Sequence, residues 1–276
     1  MEVGLFVKYG TKWFNGVHGH RGDVSYESRV YSNVLDNLRF STPRFYGVHR
    51  ERDGTPWLFL EYMGKGYPAS WSMSPEPIIR SAAWIGRFHA ANERRTKDPG
   101  LRFLRRYDSQ YYRGWARRAR RLFRRGFPWI LPVCEKFEKG VPKLLSAPQT
   151  VIHGEYFGSN VFYQRGLSRP IDWQSAAIAP GEVDLASLTH SWVSPVVKRC
   201  VREYVRARWP GGEPEYFREV FELARTYMSL RWLGDPEMMS EFAFKAGHRS
   251  VSQNVILAMQ AMSEIRSAGQ KLGFTD

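Results

Sequence analysis

The stretch 151–173 constrains this chain more than any other part of its sequence. An apolar run leads into the segment His153–Glu155, and Asn160 follows Glu155 by five residues. A second apolar run then ends at Asp172. Short apolar runs separated by polar turn residues predict strands joined in a hairpin. We therefore expect two carboxylates and one amide to meet at one end of a β unit.

Phosphoryl transfer requires this set of side chains. A carboxylate such as Glu155 can orient an attacking hydroxyl and accept its proton. An amide oxygen and a second carboxylate, as at Asn160 and Asp172, are hard oxygen ligands of the kind that hold Mg²⁺. Placing all three on one hairpin fixes their geometry, and positioning supplies much of the catalytic benefit.

The pattern His153-x-Glu155-x-x-x-x-Asn160, followed by Asp172-Trp173, resembles the catalytic loop and metal-binding aspartate of the aminoglycoside phosphotransferase and choline kinase family, which is related to the protein kinases. The resemblance implies that Glu155 is the catalytic carboxylate. It adds His153 to the catalytic set as the residue that braces the loop. It makes Asn160 and Asp172 the Mg²⁺ ligands.

The resemblance extends upstream of the hairpin. Lys8 looks like the phosphate-binding lysine of the family, and Glu27 looks like its ion-pair partner on the next helix. The segment Glu61, Tyr62 and Met63 stands where the hinge of a kinase binds adenine through its backbone. Downstream, Asp184 matches an aspartate that we expect to be structural, tying a helix start to the catalytic loop.

These features predict an α+β, protein-kinase-like, two-lobed fold. The small β-rich lobe is expected at 1–63 and the larger, mainly helical lobe at 64–276, with the catalytic hairpin at 151–173. The apolar periodicity predicts the following elements: a strand at 4–9, a helix at 25–38 with Ser25 as N-cap, strands at 43–48 and 57–62, helices at 78–91 and within 102–125, and helical structure from 220 to the C-terminus.

Two departures from the family pattern leave the activity open. The family has aspartate where Glu155 stands, and the extra methylene displaces the carboxylate by about a bond length. Only seven residues precede Lys8, whereas a kinase lobe begins with two strands and a Gly-rich loop over the phosphates. We therefore expect an N-terminally shortened small lobe that lacks the Gly-rich hairpin.

Composition excludes several classes of protein. Apolar residues make up 43% of the 276, which is ample for a folded core, and no run is long enough to span a membrane. The two cysteines, Cys134 and Cys200, cannot form a disulfide framework, so a cytoplasmic location is expected. The formal net charge of +14 favours anionic partners.

Much of that charge lies between Arg102 and Arg125, where ten arginines accompany a single acid, Asp108. Three readings stay open: a solvated face of an amphipathic helix, a surface that recognises the acceptor, and a surface that binds nucleic acid or another polyanion. The aromatic residues Tyr111, Tyr112 and Trp115 are interleaved with the arginines and could serve the last of these by stacking.

The sequence thus predicts an Mg²⁺-dependent phosphotransferase that moves the γ-phosphate of ATP or GTP to a small hydroxylated acceptor. An antibiotic, a sugar, an amino alcohol or a nucleoside-like metabolite would fit, and the charge allows an anionic acceptor. Antibiotic resistance or natural-product metabolism is the corresponding setting. The alternatives are a catalytically impaired kinase-fold binding protein and a polyanion binder. No one oligomeric state is favoured.

Overall fold

The computed structural model describes residues 4–10, 19–36, 38–235 and 263. The chain forms two compact units, which are described separately below. Unit 1 comprises residues 1–105 and 150–213, and unit 2 comprises residues 106–149 and 214–276.

Unit 1 begins with a three-stranded antiparallel sheet. Its strands are β1 (Leu5–Tyr9), β2 (Phe45–Arg50) and β3 (Pro56–Glu61), in the order β1-β3-β2. In β3, every second side chain is buried, as expected for a strand with one face on a core. Lys8 lies opposite Leu58 of β3. The strands predicted at 4–9, 43–48 and 57–62 are all present.

Helix α1 (Val24–Val30) packs against β3 and continues as a π-helical turn from Tyr31 to Leu35. Its N-cap is Asp23, whose Oδ1 accepts the N–H of Tyr26 at 2.8 Å. The expected cap at Ser25 was therefore wrong, because the carboxylate two residues earlier satisfies the first turn.

The other helices of unit 1 form a packed layer around α2. Helices α2 (Glu76–Asn92) and α6 (Ser194–Arg208) pack closely, and α5 (Glu182–Thr189) contacts both. Gly86 permits the α2–α6 approach, since a Cβ there would lie 2.8 Å from the carbonyl oxygen of Tyr204. The apolar periodicity of α2 predicts a buried stripe of Ile78, Ile79, Ala82, Ile85, Phe88 and Ala91. All of these residues are buried except Ala91, which is exposed at the end of the helix.

Short strands carry the segment predicted to hold the site. Strand β6 (Gln149–Ile152) pairs with β9 (Ala177–Pro180). Strands β7 (Val161–Gln164) and β8 (Leu167–Pro170) form a hairpin, and β4 (Tyr67–Pro68) pairs with β7. The hairpin thus covers only part of the predicted segment 151–173, because β6, which leads into His153, lies in another sheet. The remaining strand, β5, is the two-residue segment Arg105–Arg106.

Unit 2 consists of the helices α3 (Ser109–Phe123), α4 (Ile130–Ser146) and α7 (Phe217–Gly234), which pack against one another. The aromatic residues of α3 belong to the core of this unit, since Tyr111, Tyr112 and Trp115 are all buried. They therefore cannot stack on nucleotide bases in this structure. The helical spacing of the apolar residues in 102–125 predicts Leu122 on the same buried side as Tyr112 and Trp115, but Leu122 is 44% exposed.

Helix α7 accounts for part of the helical structure expected from residue 220 onward, and the rest of that prediction, apart from residue 263, lies outside the described residues. Within the described part of the chain, every helix is too short or too polar to cross a membrane.

Candidate active site

The backbone turns sharply where β6 ends. Gly154 has φ +82°, and a Cβ on it would lie only 2.1 Å from the carbonyl oxygen of Ser175. The carboxylate of Asp184 accepts the N–H groups of His153 at 2.7 Å and of Gly154 at 2.9 Å. Its Oδ2 also lies 3.1 Å from Nε2 of His89. These contacts give Asp184 the structural role expected from the sequence.

His153 links this turn to the second half of the hairpin. Its Nδ1 accepts the N–H of Glu155 at 3.3 Å, so the ring proton resides on Nε2, which donates to the carbonyl oxygen of Ile171 at 2.8 Å. The ring also packs on Trp173, with centroids 4.5 Å apart. The structure thus buries His153 as a brace next to Asp172.

Lys8, Glu27 and Asp172 form an ion cluster. The Lys8 ammonium lies 2.7 Å from Glu27 Oε2 and 2.7 Å from Asp172 Oδ1. The N–H of Trp173 donates to the other oxygen of Glu27 at 3.0 Å. Three residues that are distant in sequence are thereby brought together: the pair of Lys8 with Glu27 was predicted, and the direct contact of Lys8 with Asp172 was not.

The pKa directions reflect this geometry. Burial opposes the charge on Lys8, but Glu27 and Asp172 outweigh it and raise the pKa of the ammonium above its usual value. Burial raises the pKa of Glu27, and the neighbouring Lys8 opposes that shift. Asp172 adopts a left-handed backbone with φ 63° and ψ 63°, a conformation that aspartate tolerates better than most residues.

A cavity of about 450 Å³ adjoins this cluster within unit 1. That volume falls in the range of small-molecule and cofactor sites. Its lining combines apolar side chains with Lys8, Glu27, Asn160 and Asp172 at one end. The apolar part suits a flat aromatic ring, and it comprises Phe6, Pro43, Leu60, Met63, Phe162 and Ile171.

All three predicted hinge residues line this cavity. The N–H of Tyr62 donates to the carbonyl oxygen of Gly4 at 3.0 Å, and the carbonyl oxygen of Met63 accepts from Gln164. Arg169 donates to the Glu61 carboxylate at 3.1 Å, and this hydrogen bond lowers the pKa of Glu61. One backbone group of each residue, the N–H of Tyr62 and the carbonyl oxygen of Met63, is therefore already engaged, and adenine binding by this hinge stays a prediction.

Asn160 is oriented by the catalytic loop. Its amide nitrogen donates to the carbonyl oxygen of Glu155 at 3.0 Å, which leaves the amide oxygen as the atom suited to a cation. The side chain of Asp172 is 41% exposed, and both residues line the cavity. This pair of hard oxygen donors fits an Mg²⁺ ion that also takes ligands from phosphates and water.

Glu155 lies apart from the cavity lining. It is 2% exposed, and Arg21 grips it with both ends of the guanidinium: Nε donates to Oε2 at 3.0 Å and Nη2 donates to Oε1 at 2.8 Å. Ser175 Oγ donates to Oε2 at 3.0 Å, and His20 Nε2 lies 3.5 Å from Oε1. Among the described residues lining the cavity, neither Glu155 nor His153 appears.

Sequence reasoning missed Arg21 and Ser175. Arg21 is a single arginine in a Gly- and His-rich loop, without periodicity to single it out. Ser175 follows Asp172 by three residues, and that spacing is the one signal that could have placed it near the loop. Both are contacts of the carboxylate that the family resemblance makes catalytic.

Comparison with known proteins identifies the class and the family of this chain. The fold is that of the kinase-like phosphotransferases. The family model described as the phosphotransferase enzyme family (APH) matches residues 20–218, so the chain belongs to that family. It is a small-molecule O-phosphotransferase by membership. No curated protein matches the chain.

Solved structures share the fold at low sequence identity. A choline/ethanolamine kinase family protein from Mesorhizobium loti is 14% identical, with a TM-score of 0.64, over 98% of this chain and 84% of that one. The amicoumacin kinase hAmiN, in complex with AMP-PNP, Ca²⁺ and Ami, is 10% identical, with a TM-score of 0.65, over 98% and 82%. The GDP complex of aminoglycoside 2'-phosphotransferase-IIIa is 11% identical, with a TM-score of 0.56, over 90% and 81%.

The expected kinase-like α+β fold and the resemblance to aminoglycoside phosphotransferases and choline kinases are thereby confirmed.

Proposed function

We propose that this protein transfers the γ-phosphate of ATP or GTP to a hydroxyl group of a small molecule, with Mg²⁺ as the metal. The observation that carries the proposal is the Lys8 ammonium held at 2.7 Å from both Glu27 and Asp172 at one end of a cavity of about 450 Å³. This arrangement suits a nucleotide: the apolar lining of the cavity can contact the base, and the Lys8 ammonium can contact the phosphates.

Each predicted site residue has a role in this proposal. The apolar slot and residues 61–63 take the base, and Lys8, kept charged and oriented by Glu27, binds the phosphates. Asn160 and Asp172 would hold the Mg²⁺, which supplies positive charge to the β- and γ-phosphates. Glu155 orients the acceptor hydroxyl and accepts its proton, while His153 and Asp184 keep the loop in place.

Nucleotide binding tests this proposal directly. Unfolding temperature is measured with and without Mg·ATP and Mg·GTP for the wild type, Lys8→Met and Asp172→Asn. At a ligand concentration of 100 times Kd, binding adds about 2.7 kcal/mol to the free energy of unfolding, so the wild type should melt at a higher temperature. Both variants should lose most of that rise.

Lys139→Met is the matched control, because Lys139 is exposed on α4 in unit 2. It should respond to nucleotide like the wild type. Equal nucleotide responses in Lys8→Met, Asp172→Asn and the wild type would contradict the proposal, as would the absence of any response in the wild type.

One observation favours a second candidate, a binding protein that retains the fold without transfer. Glu155 is buried beneath Arg21 and does not line the cavity. Such a protein would bind Mg·nucleotide in the assay above but release no diphosphate with any acceptor. Diphosphate release that disappears in Asp172→Asn would exclude it.

We further propose a cytoplasmic location, since both cysteines are thiols buried in the fold, as is usual in a reducing compartment. Detection of the tagged protein in the cytoplasmic fraction checks this. A role in antibiotic resistance or natural-product metabolism belongs to the same proposal, and growth with a panel of antibiotics, with and without the expressed protein, tests the resistance arm.

A further inference from the structure

The loop segment that carries Arg21 is fixed from two sides. Arg105 donates to the carbonyl oxygen of His20 at 2.7 Å and to that of Arg21 at 2.6 Å. The N–H of Gly22 donates to the carbonyl oxygen of Gln174 at 2.8 Å. The guanidinium of Arg105 also lies 4.9 Å from the ring centroid of Tyr26. The backbone of residues 20–22, called the clip below, is therefore held in a defined position by these hydrogen bonds.

This clip presents the Arg21 guanidinium to Glu155 in a bidentate geometry, which is the strongest and most directional arrangement for such a pair. The side chain of Arg21 is 42% exposed, whereas that of Glu155 is 3% exposed. Arg21 is thus the outer partner. A molecule that approaches the Glu155 carboxylate from solvent on this side meets the guanidinium first.

The surroundings of Glu155 are cationic. Arg21 and, when protonated, His20 contact Glu155, and Ser175 donates a hydrogen bond to it. Arg105 adds a third cation, which holds the backbone of residues 20 and 21. A neutral molecule cannot replace the guanidinium without leaving a buried carboxylate unpaired, which is strongly unfavourable. A ligand that brings its own anion can share the guanidinium and loosen its hold on Glu155.

We propose that Arg21 determines acceptor specificity, and that the acceptor carries an anionic phosphate or carboxylate group close to its reacting hydroxyl. The anion binds Arg21, whose side chain is 42% exposed, and the loosened Glu155 carboxylate then reaches the hydroxyl. The inference rests on the proposed phosphotransferase function.

The transfer step balances as follows. The hydroxyl proton passes to Glu155 as the acceptor oxygen bonds to the γ-phosphorus. The bond from the γ-phosphorus to the β–γ bridging oxygen breaks, and that oxygen leaves with the nucleoside diphosphate.

Matched acceptors test the inference. Binding of four three-carbon compounds and four six-carbon compounds is measured by calorimetry with the full chain in Mg·AMP-PNP. The series are glycerol 3-phosphate, glycerate, glycerol and 3-amino-1,2-propanediol, and glucose 6-phosphate, gluconate, glucose and glucosamine. In at least one series, an anionic member should bind tenfold or more tightly than its neutral counterpart. The phosphate and carboxylate members show which anion is preferred.

Variants assign the preference to Arg21. Arg21→Gln should abolish it, and Arg21→Lys, which keeps the charge but not the fork, should retain part of it. Arg21→Gln leaves the buried Glu155 carboxylate without its guanidinium partner and could prevent folding. In that case the double variant Arg21→Gln/Glu155→Gln, which removes both charges, is used instead. Arg52→Gln, at an exposed arginine in the turn between β2 and β3, is the control and should keep the preference.

The outcomes are distinct. Neutral or amino members that bind as well as the anionic ones, an absence of binding by every member, or an unchanged preference in the neutralised variants would overturn the role of Arg21. If Mg·nucleotide binds in a Lys8-dependent manner while the anion preference is absent, this inference alone fails. If no nucleotide binds, the proposed function and this inference fail together.

Discussion

Gly154 and Asp184 act together at the start of the site. The carboxylate of Asp184 accepts two consecutive backbone N–H groups, and the glycine allows both the left-handed turn and the close approach of Ser175. Since Ser175 in turn donates to Glu155, the position of the Glu155 carboxylate depends on backbone packing as well as on charge.

Gly154→Ala is expected to lower the free energy of unfolding by about 2–4 kcal/mol. The new Cβ would combine the cost of a positive φ with a backbone clash at 2.1 Å. Urea denaturation measures the change. Gly100→Ala, where a Cβ would meet nothing within 4 Å, is the control and should stay within about 0.5 kcal/mol of the wild type. Equal effects at both positions would contradict this account.

His89 should make stability depend on pH. Burial lowers the pKa of His89 below its ordinary value of 6.5, and the hydrogen bond with Asp184 opposes this only in part. The unfolded chain therefore binds a proton more readily than the folded one as the pH falls through 6.5. Stability should decrease below that pH, with a slope of up to about 1.4 kcal/mol per pH unit from this one group.

Urea denaturation at a series of pH values from 5 to 8 checks this. His89→Gln should flatten the dependence below pH 6.5, whereas His49→Gln, at an exposed histidine of β2, should leave it unchanged. An unaltered slope in His89→Gln would show that other groups govern the acid limb.

At this scale the sequence predicts only part of the site. The pair of Lys8 and Glu27 was expected, because the two residues stand at recognisable places in a strand and a helix, whereas the contact of Lys8 with Asp172 was not. The bidentate ion pair between Arg21 and Glu155 was not predicted, since the two residues are 134 positions apart in sequence and only tertiary packing brings them together. A lone arginine in a loop carries no periodic signal.

At the scale of elements, helix α1 connects local structure to the site. Its N-cap is Asp23, and one turn later Glu27 points to Lys8 and to the N–H of Trp173. Helix α3 in unit 2 begins in the same way, with Asp108 accepting the N–H of Tyr111 at 2.7 Å. The two caps share their chemistry and differ in what their helices carry.

Removing either cap should cost about 1 kcal/mol of stability. Asp23→Ala should also weaken Mg·nucleotide binding several-fold, because the first turn of α1 positions Glu27. Asp108→Ala should leave nucleotide binding unchanged. Urea denaturation and calorimetry with Mg·AMP-PNP separate the two effects. If both variants bind nucleotide like the wild type, α1 does not orient the site as described.

The caps also show why element boundaries are harder to predict than elements. Both Asp23 and Ser25 are good cap residues, and the apolar periodicity of the helix does not choose between them. The choice depends on Gly22, which lets the chain pass Tyr26 closely, since a Cβ at this position would lie 2.5 Å from that ring. Such steric detail appears only once the chain is folded.

At the scale of the whole molecule, much of the net charge of +14 lies between Arg102 and Arg125, a segment that includes α3. The described face of α3 and the residues after it expose Arg117, Arg121 and Arg124. Burial, and then the neighbouring Arg121 and Arg117, lower the pKa of Arg118, so these charges lie close enough to repel one another. With the aromatic residues of α3 buried, any polyanion on this face would be held through its phosphates alone.

If the polyanion reading is right, duplex DNA should bind with an affinity that falls steeply with salt, by a slope of about 0.9 per phosphate contact. The triple variant Arg117→Gln, Arg121→Gln and Arg124→Gln should then reduce the slope by about 3. Titrations between 50 and 200 mM salt measure it.

A second triple variant removes the same charge elsewhere, at the exposed residues Arg52, Arg94 and Arg165. It should keep the wild-type slope. If the protein binds no polyanion at low salt, the arginines of α3 are only a solvated face of the helix. If both triple variants show the same salt slope, the phosphate contacts lie outside this face.

The division into lobes at residue 63 stays a prediction. Sequence patterns predict helices and strands better than they predict which of these elements pack into one unit. The two compact units are each assembled from separate stretches of chain. No local sequence pattern shows which helices belong to the same unit. That depends on packing between helices that are distant in sequence, such as the packing of α7 on α3 and α4.

Strand β1 carries Lys8 and is also the outermost strand of its sheet in the part of the chain that the structure describes. Leu5, Phe6, Val7 and Tyr9 are all more than a third exposed. An apolar strand edge is a template on which other chains can assemble. The strand that carries Lys8 is therefore also the place where concentrated solutions of this protein should begin to aggregate, and nucleotide, if it binds beside Lys8 as proposed, should delay the onset.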